Sequence, residues 1–166
     1  LQLNDSSNGR FRGKSGTFTG TGWHHIAATY TGVGGTNAQD GIKIYVDGVR
    51  IDDTDINSGG NYKSMHNDGG NTNLARLPNG TGYTAGKFDH LSIFDYALTD
   101  GTGGTVNQIA ELYGNSTDGV GNPMAITGGR KPIAYYPIGD YAAFNGSEYL
   151  VNNGALQDYV FDFGAA

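Results

Sequence analysis

Trp23-His24-His25-Ile26-Ala27-Ala28-Thr29-Tyr30, followed after a Gly-rich loop by Gly41-Ile42-Lys43-Ile44-Tyr45-Val46-Asp47-Gly48-Val49-Arg50-Ile51, is the stretch on which the fold reading turns. Ile42, Ile44 and Val46 alternate with Lys43, Tyr45 and Asp47, the period-2 pattern of a strand with one face turned inward. Asp47-Gly48 then reverses the chain, because a two-residue hairpin turn needs positive φ and Asp-Gly supplies it at little steric cost. Three short strands result: one ending at Tyr30, one over Ile42 to Val46, and one from Val49 to Ile51.

Working outward, residues 1–22 hold further short strand candidates around Leu1-Leu3, Gly9-Arg12 and Thr17-Thr19, separated by Asn, Ser and Gly. Lys87 to Phe94 alternates again, with Phe88, Leu91 and Ile93 as the apolar positions. After Asp100-Gly101 the period changes: Val106, Ile109, Ala110 and Tyr113 fall at i, i+3, i+4 and i+7, one stripe of a helix. Thr105 with Gln108 three residues on has the form of a capping box, and Gly114 suits the C-terminal cap. One short helix is predicted among many strands.

The sequence with these two ordered stretches, the Trp-His-His strand with its Ile-x-Ile-Tyr-Val-Asp-Gly hairpin and the segment Gly86-Lys87-Phe88-Asp89-His90-Leu91-Ser92-Ile93-Phe94-Asp95-Tyr96-Ala97-Leu98-Thr99-Asp100 running into the helix, resembles a laminin-G-like module of the concanavalin A-like lectin/glucanase superfamily. The resemblance implies an all-β, antiparallel jelly-roll sandwich with one short helix. It also implies that residues 1–114 are the later part of such a module, its first strands missing. Asn115 to Arg130 has the composition of a linker. Residues 131–166 resemble the opening strands of a following module, through Lys131-Pro132-Ile133-Ala134-Tyr135-Tyr136-Pro137-Ile138 and Ala155-Leu156-Gln157-Asp158-Tyr159-Val160-Phe161-Asp162-Phe163. Alternatively those strands complete the same sandwich, since an open sheet edge invites aggregation.

Composition agrees with the all-β reading and narrows function. There are 29 Gly in 166 residues, and abundant Gly among Asn, Asp and Thr means many tight turns. A formal charge of −6 argues against a phosphate-backbone partner, which needs a basic surface. With no Cys, disulfides, thiolate metal sites and thiol nucleophiles are excluded. No apolar run approaches the length of a membrane span. Gly13-Lys14-Ser15 lacks the Gly five positions earlier that a phosphate loop requires, Asn8 standing there, and no helical pattern follows.

Chemistry-bearing residues are few. Glycoside hydrolysis needs two carboxylates across the scissile bond. Glu111 falls on the helix and Glu148 in a loop, neither in the acidic strand motif that glucanase relatives carry, so no enzyme activity is expected. Asp53-Thr54-Asp55-Ile56-Asn57-Ser58 opens like a calcium loop, yet Ser58 stands where Gly is needed and Ser64 where the bidentate Glu belongs. The segment reads as a solvated hairpin end. His24 and His25 are neighbours on a strand and point to opposite faces, so they do not share a metal. His66 and His90 stand alone. Trp23, the only Trp, reads as a packing residue in the core or at its rim.

Two candidate sites remain. The family resemblance implies a structural calcium, for which Asp89 is the expected ligand. The long polar segment from Asp52 to about Tyr83, which also holds a strand candidate at Thr72 to Arg76, carries Tyr62, His66, Asn67, Asp68, Asn71, Asn73 and Tyr83. Aromatic faces and amide or carboxylate groups of that kind suit a sugar, which offers C–H faces and hydroxyl edges. The resemblance thus implies a carbohydrate-binding or adhesion module of a larger extracellular or virion-associated protein, of the sort found in repetitive phage and bacterial surface proteins. Its partners would be glycans or neighbouring modules of the same assembly, with no nucleic acid and no membrane insertion. The alternative is a purely structural spacer or decoration in a tail, fibre or surface assembly.

Overall fold

A computed structural model describes residues 1–65, 85–114, 121–138, 149–150 and 161–162. The chain divides into two compact units: Leu1–Asn67 with Tyr96–Asn122 and Ile126–Gly129, and Asp68–Asp95 with Pro123–Ala125 and Arg130–Ala166.

The first unit is built on two three-stranded antiparallel sheets. β1 (Gln2–Asp5) pairs with β2 (Arg10–Ser15), which pairs on its other side with β6 (Thr54–Asn57). β3 (Ile26–Tyr30), β4 (Ile42–Val46) and β5 (Val49–Arg50) form the second sheet in chain order. The hairpin between β4 and β5 is the Asp-Gly turn read from the sequence: φ is 51° at Asp47 and 77° at Gly48, positive at both central positions.

The sheets face one another through Leu3 of β1 and Ile42 of β4, which are buried together with Ala38 and Tyr62 and flanked by Tyr30 and Ile44. The resulting antiparallel β-sandwich is the expected fold class. The opposite face of β4 is covered too. Tyr45 is buried there, its hydroxyl donating to Asp100 Oδ2 at 2.8 Å, and Lys43 Nζ reaches the same oxygen at 2.7 Å. β4 is therefore a central strand with both faces occupied along its inner stretch, not the one-sided strand its alternation suggests. The loop before it, read as polar surface, folds into a 3-10 segment, Gly35–Gly41, that places Ala38 in the core.

The helix, α1 (Gln108–Tyr113), turns Ile109 and Leu112 inward and ends at Gly114, whose φ is 77°. Its cap differs from the sequence reading. Asn107, not Thr105, accepts from the Ala110 amide at 2.9 Å, because the helix starts two residues later than the capping box requires. Gln108 is thereby freed to bridge inward: it accepts from the Thr99 amide and donates to the Thr127 carbonyl. Val106, one of the four stripe positions, is left exposed ahead of the first turn.

Three further readings are corrected. No strand forms at Thr17-Thr19, and β3 begins at Ile26, three residues after Trp23. The segment read as a solvated hairpin end is the edge strand β6, held on β2 by its register from Arg12↔Asn57 to Ser15↔Thr54 and by an ion pair between Lys14 and Asp55. Residues 72–76, read as a strand, lie outside the described residues.

In the second unit, β7 (Leu91–Ile93) pairs antiparallel with β8 (Ala134–Tyr136), Ser92 standing opposite Tyr135. Leu91, Ile93 and Ile138 pack against buried Ala134 and Tyr136. The closing strand predicted over Lys87 to Phe94 is confined to three residues. Phe88 is exposed ahead of it, and His90 adopts a left-handed φ of 52° at its entry. β9 (Tyr149–Leu150) and β10 (Phe161–Asp162) form a second short pair.

Candidate functional site

The candidate site lies on the first unit, where the irregular segment 16–25 runs beside the β4–β5 hairpin. Gly16 sets this approach. It packs on the Ile51 carbonyl so closely that a Cβ there would fall 1.7 Å from the oxygen. No other residue fits, and the contact brings Thr17 beside the segment Arg50-Ile51-Asp52-Asp53. Together these five residues, Thr17, Arg50 at the end of β5 and the irregular Ile51 to Asp53, line an open depression of about 490 Å³.

The polar groups of the depression are fixed. Arg50 and Asp52 are two apart in extended chain and so project to the same side. Arg50 Nε donates to Asp52 Oδ1 at 2.8 Å and Nη2 to Oδ2 at 2.7 Å, a bidentate fork, while the Ile44 amide donates to Oδ1 at 3.0 Å. Burial disfavours the charge on Asp52, but the guanidinium and the amide outweigh it and its carboxyl is held below the usual range. Asp52 is enclosed, whereas the Arg50 side chain keeps 51% of its exposure. The fork therefore aims a guanidinium outward in one orientation. Asp53 and Thr17 are exposed on either side.

Next along segment 16–25 stand two outward aromatics. Phe18 is 44% exposed and Trp23 67% exposed. Trp23 is thus not the packing residue the sequence suggests: β3 starts beyond it, so it never enters the sandwich. The segment is nonetheless anchored. The Phe18 ring meets His24 edge-on at 4.5 Å between centroids, and His24 Nδ1 lies 2.8 Å from Asp47 Oδ2 in the hairpin turn. Asp47 Oδ1 accepts from the His25 amide at 2.9 Å. One carboxylate thus ties both histidines to the turn; the contact with His24 first, then that with the His25 amide, holds its pKa down against burial. His24 and His25 precede β3 and do not lie on a strand as expected, and their rings have different neighbours. The His25 ring leaves toward Tyr113 of α1 at 6.1 Å, and its burial lowers its pKa.

The residues singled out from the sequence are placed differently. Tyr62 is fully buried in the sandwich core, its ring 5.7 Å from the guanidinium carbon of Arg12, and offers no face to a ligand. Arg12 is itself buried and donates to the carbonyls of Phe11, Thr36, Gly59 and Gly60. His66, Asn67, Asp68, Asn71, Asn73 and Tyr83 lie outside the described residues. Asp89 is exposed before β7, with Oδ1 2.9 Å from His90 Nδ1. Among the described residues no three His, Asp or Glu side chains gather as a metal site would require. One carboxylate facing an imidazole does not match the six to eight oxygens calcium takes. The signals that sequence reasoning passed over were the Arg-x-Asp-Asp order after the hairpin and the Gly ahead of Thr17.

Two antiparallel three-stranded sheets packed on a shared core define the class: a β-sandwich module. A laminin-G family model, described as the Concanavalin A-like lectin/glucanases superfamily, matches residues 1–102, and the chain belongs to that family. Neither the curated proteins nor the solved structures returned a match. Among the described residues no helix is long and apolar enough to cross a membrane.

Proposed function

We propose that this chain is a carbohydrate-binding, adhesive module of a larger extracellular or virion-associated protein, acting by binding and not by catalysis. The observation that carries the reading is Trp23, exposed on a segment pinned through Phe18, His24 and Asp47 to the hairpin turn. Exposed aromatic surface held rigidly suits the C–H face of a sugar ring, and little conformational freedom is lost on binding. Thr17, Arg50 and Asp53, which line the depression on the same unit, supply donors and acceptors for hydroxyl edges.

A glycan array probed with the whole chain, in calcium and again in a chelator, tests this. Saturable binding to a defined glycan set, lost in Trp23→Ala, supports the reading. A clean negative from folded protein removes it. Calcium enters only as part of the test: binding that vanishes in chelator would make it a cofactor, with Asp89 the first residue to substitute.

A second reading has its own observation. Ile26, Val46 and Val49 stand opposite one another across β3, β4 and β5, and the outer two are 71% and 65% exposed. An apolar row of this kind favours packing on neighbouring modules in a structural assembly.

A further inference from the structure

We infer that the depression beside segment 16–25 selects neutral glycans and rejects sulfated or uronate-rich ones, with Arg50 as its oriented hydroxyl donor and Asp53 as its charge filter. The inference rests on the carbohydrate-binding reading and names the ligand class within it.

The charges decide the sign. One guanidinium and two carboxylates line the depression, and Arg50 is already neutralised by the bidentate contact with Asp52. Among the described residues Asp53 has no ion-pair partner. It is exposed, and its Oδ1 accepts from the Thr54 hydroxyl at 3.1 Å, a contact that leaves the charge in place. An anionic sugar would meet net negative potential on a chain whose overall charge is already −6. Nearby cations do not reverse this: Lys14 is paired with Asp55 and Lys43 with Asp100.

Hydroxyls fit better. Nε and Nη2 of Arg50 are directed at Asp52, so the remaining guanidinium N–H groups face the half-exposed side and donate without needing an anion. Asp53 accepts, and the Thr17 hydroxyl does either. Donor and acceptor lining one depression suit the hydroxyls of a sugar, while Ile51, and Phe18 next to Thr17 in the chain, provide apolar surface for the ring.

The test is an array carrying neutral glucans, galactans and mannans beside heparin-type and uronate polysaccharides. It is probed with the whole chain and with Thr17→Ala, Arg50→Gln and Asp53→Lys. Neutral glycans should bind, with Thr17→Ala and Arg50→Gln each weakening them roughly tenfold. Asp53→Lys, an exposed change outside the Arg50 to Asp52 fork, should gain binding to heparin-type chains. Selective binding of the wild type to anionic glycans overturns the inference while leaving the carbohydrate reading standing. So does neutral binding indifferent to all three changes. Silence of every folded protein on every glycan overturns both.

Discussion

Asp47 carries more of the local structure than any other side chain of the hairpin. It occupies a left-handed position that a non-Gly residue rarely takes, and its two oxygens hold His24 and the His25 amide. The His25 ring beyond it is half-buried, and its Nδ1 has no hydrogen-bond partner among the described residues. Burial thus favours the neutral ring, opposed by the nearby Asp47 charge. The sign follows: below the ordinary His pKa of about 6.5 the unfolded chain takes up a proton that the folded chain resists, so stability falls as pH falls. The urea midpoint should drop as pH falls below about 6.5, and His25→Phe should flatten that fall. An unchanged slope in the variant would assign the titration elsewhere. A separate loss is expected below about pH 4, where Asp5, Asp47 and Asp100 must be protonated. Hydrogen bonds from Ser7, Asn8 and the Lys63 amide hold Asp5 well below the usual carboxylate range; Lys43 and Thr102 do the same for Asp100.

At the scale of elements, α1 is six residues long and could not persist on its own, so its ends matter. Asn107→Ala removes the side-chain oxygen that accepts from the Ala110 amide and should cost about 1 kcal/mol. Thr105→Ala should cost much less, since its hydroxyl contacts only the Thr102 carbonyl. Chemical denaturation of the pair distinguishes the observed cap from the capping box that the sequence suggests; a larger loss in Thr105→Ala would contradict the structure. The hairpin was legible because Asp47-Gly48 dictates its own φ values, and β4 because its alternation is local. The helix was legible through Ile109 and Gly114, although Ala110, read as part of the same stripe, is exposed and Leu112 is buried instead. β6 was not, because Thr54-Asp55-Ile56-Asn57 has weak strand propensity and is held by β2 through pairing that no local pattern announces. Tyr62 was misplaced for a related reason: it sits in a polar stretch, and only the packing of Leu3, Ala38 and Ile42 makes room for it.

Across the whole first unit, charge is used inside as well as outside. Arg12 lies within the sandwich with four backbone carbonyls as acceptors, and Asp5 is enclosed by side-chain and backbone donors. Such groups are stable only when fully hydrogen-bonded, and they fix the loops that bring those partners. The aromatics are distributed the other way. Tyr45 and Tyr62 fill the interior, while Trp23 and Phe18 remain on the surface. That inversion is what a binding module needs and what sequence alone could not reveal, since a Trp opening a strand is ordinarily read as packing.

Trp23 is also the sole tryptophan, so the chain carries its own probe at the proposed contact. The most direct measurement is a titration of intrinsic tryptophan fluorescence with neutral oligosaccharides that score on the array. A saturable blue shift, absent with heparin-type chains and weakened in Thr17→Ala, is the result expected if Trp23 stacks on a sugar at this site. Glycan binding established by calorimetry with no change in Trp23 emission would contradict it and place the binding surface elsewhere on the module.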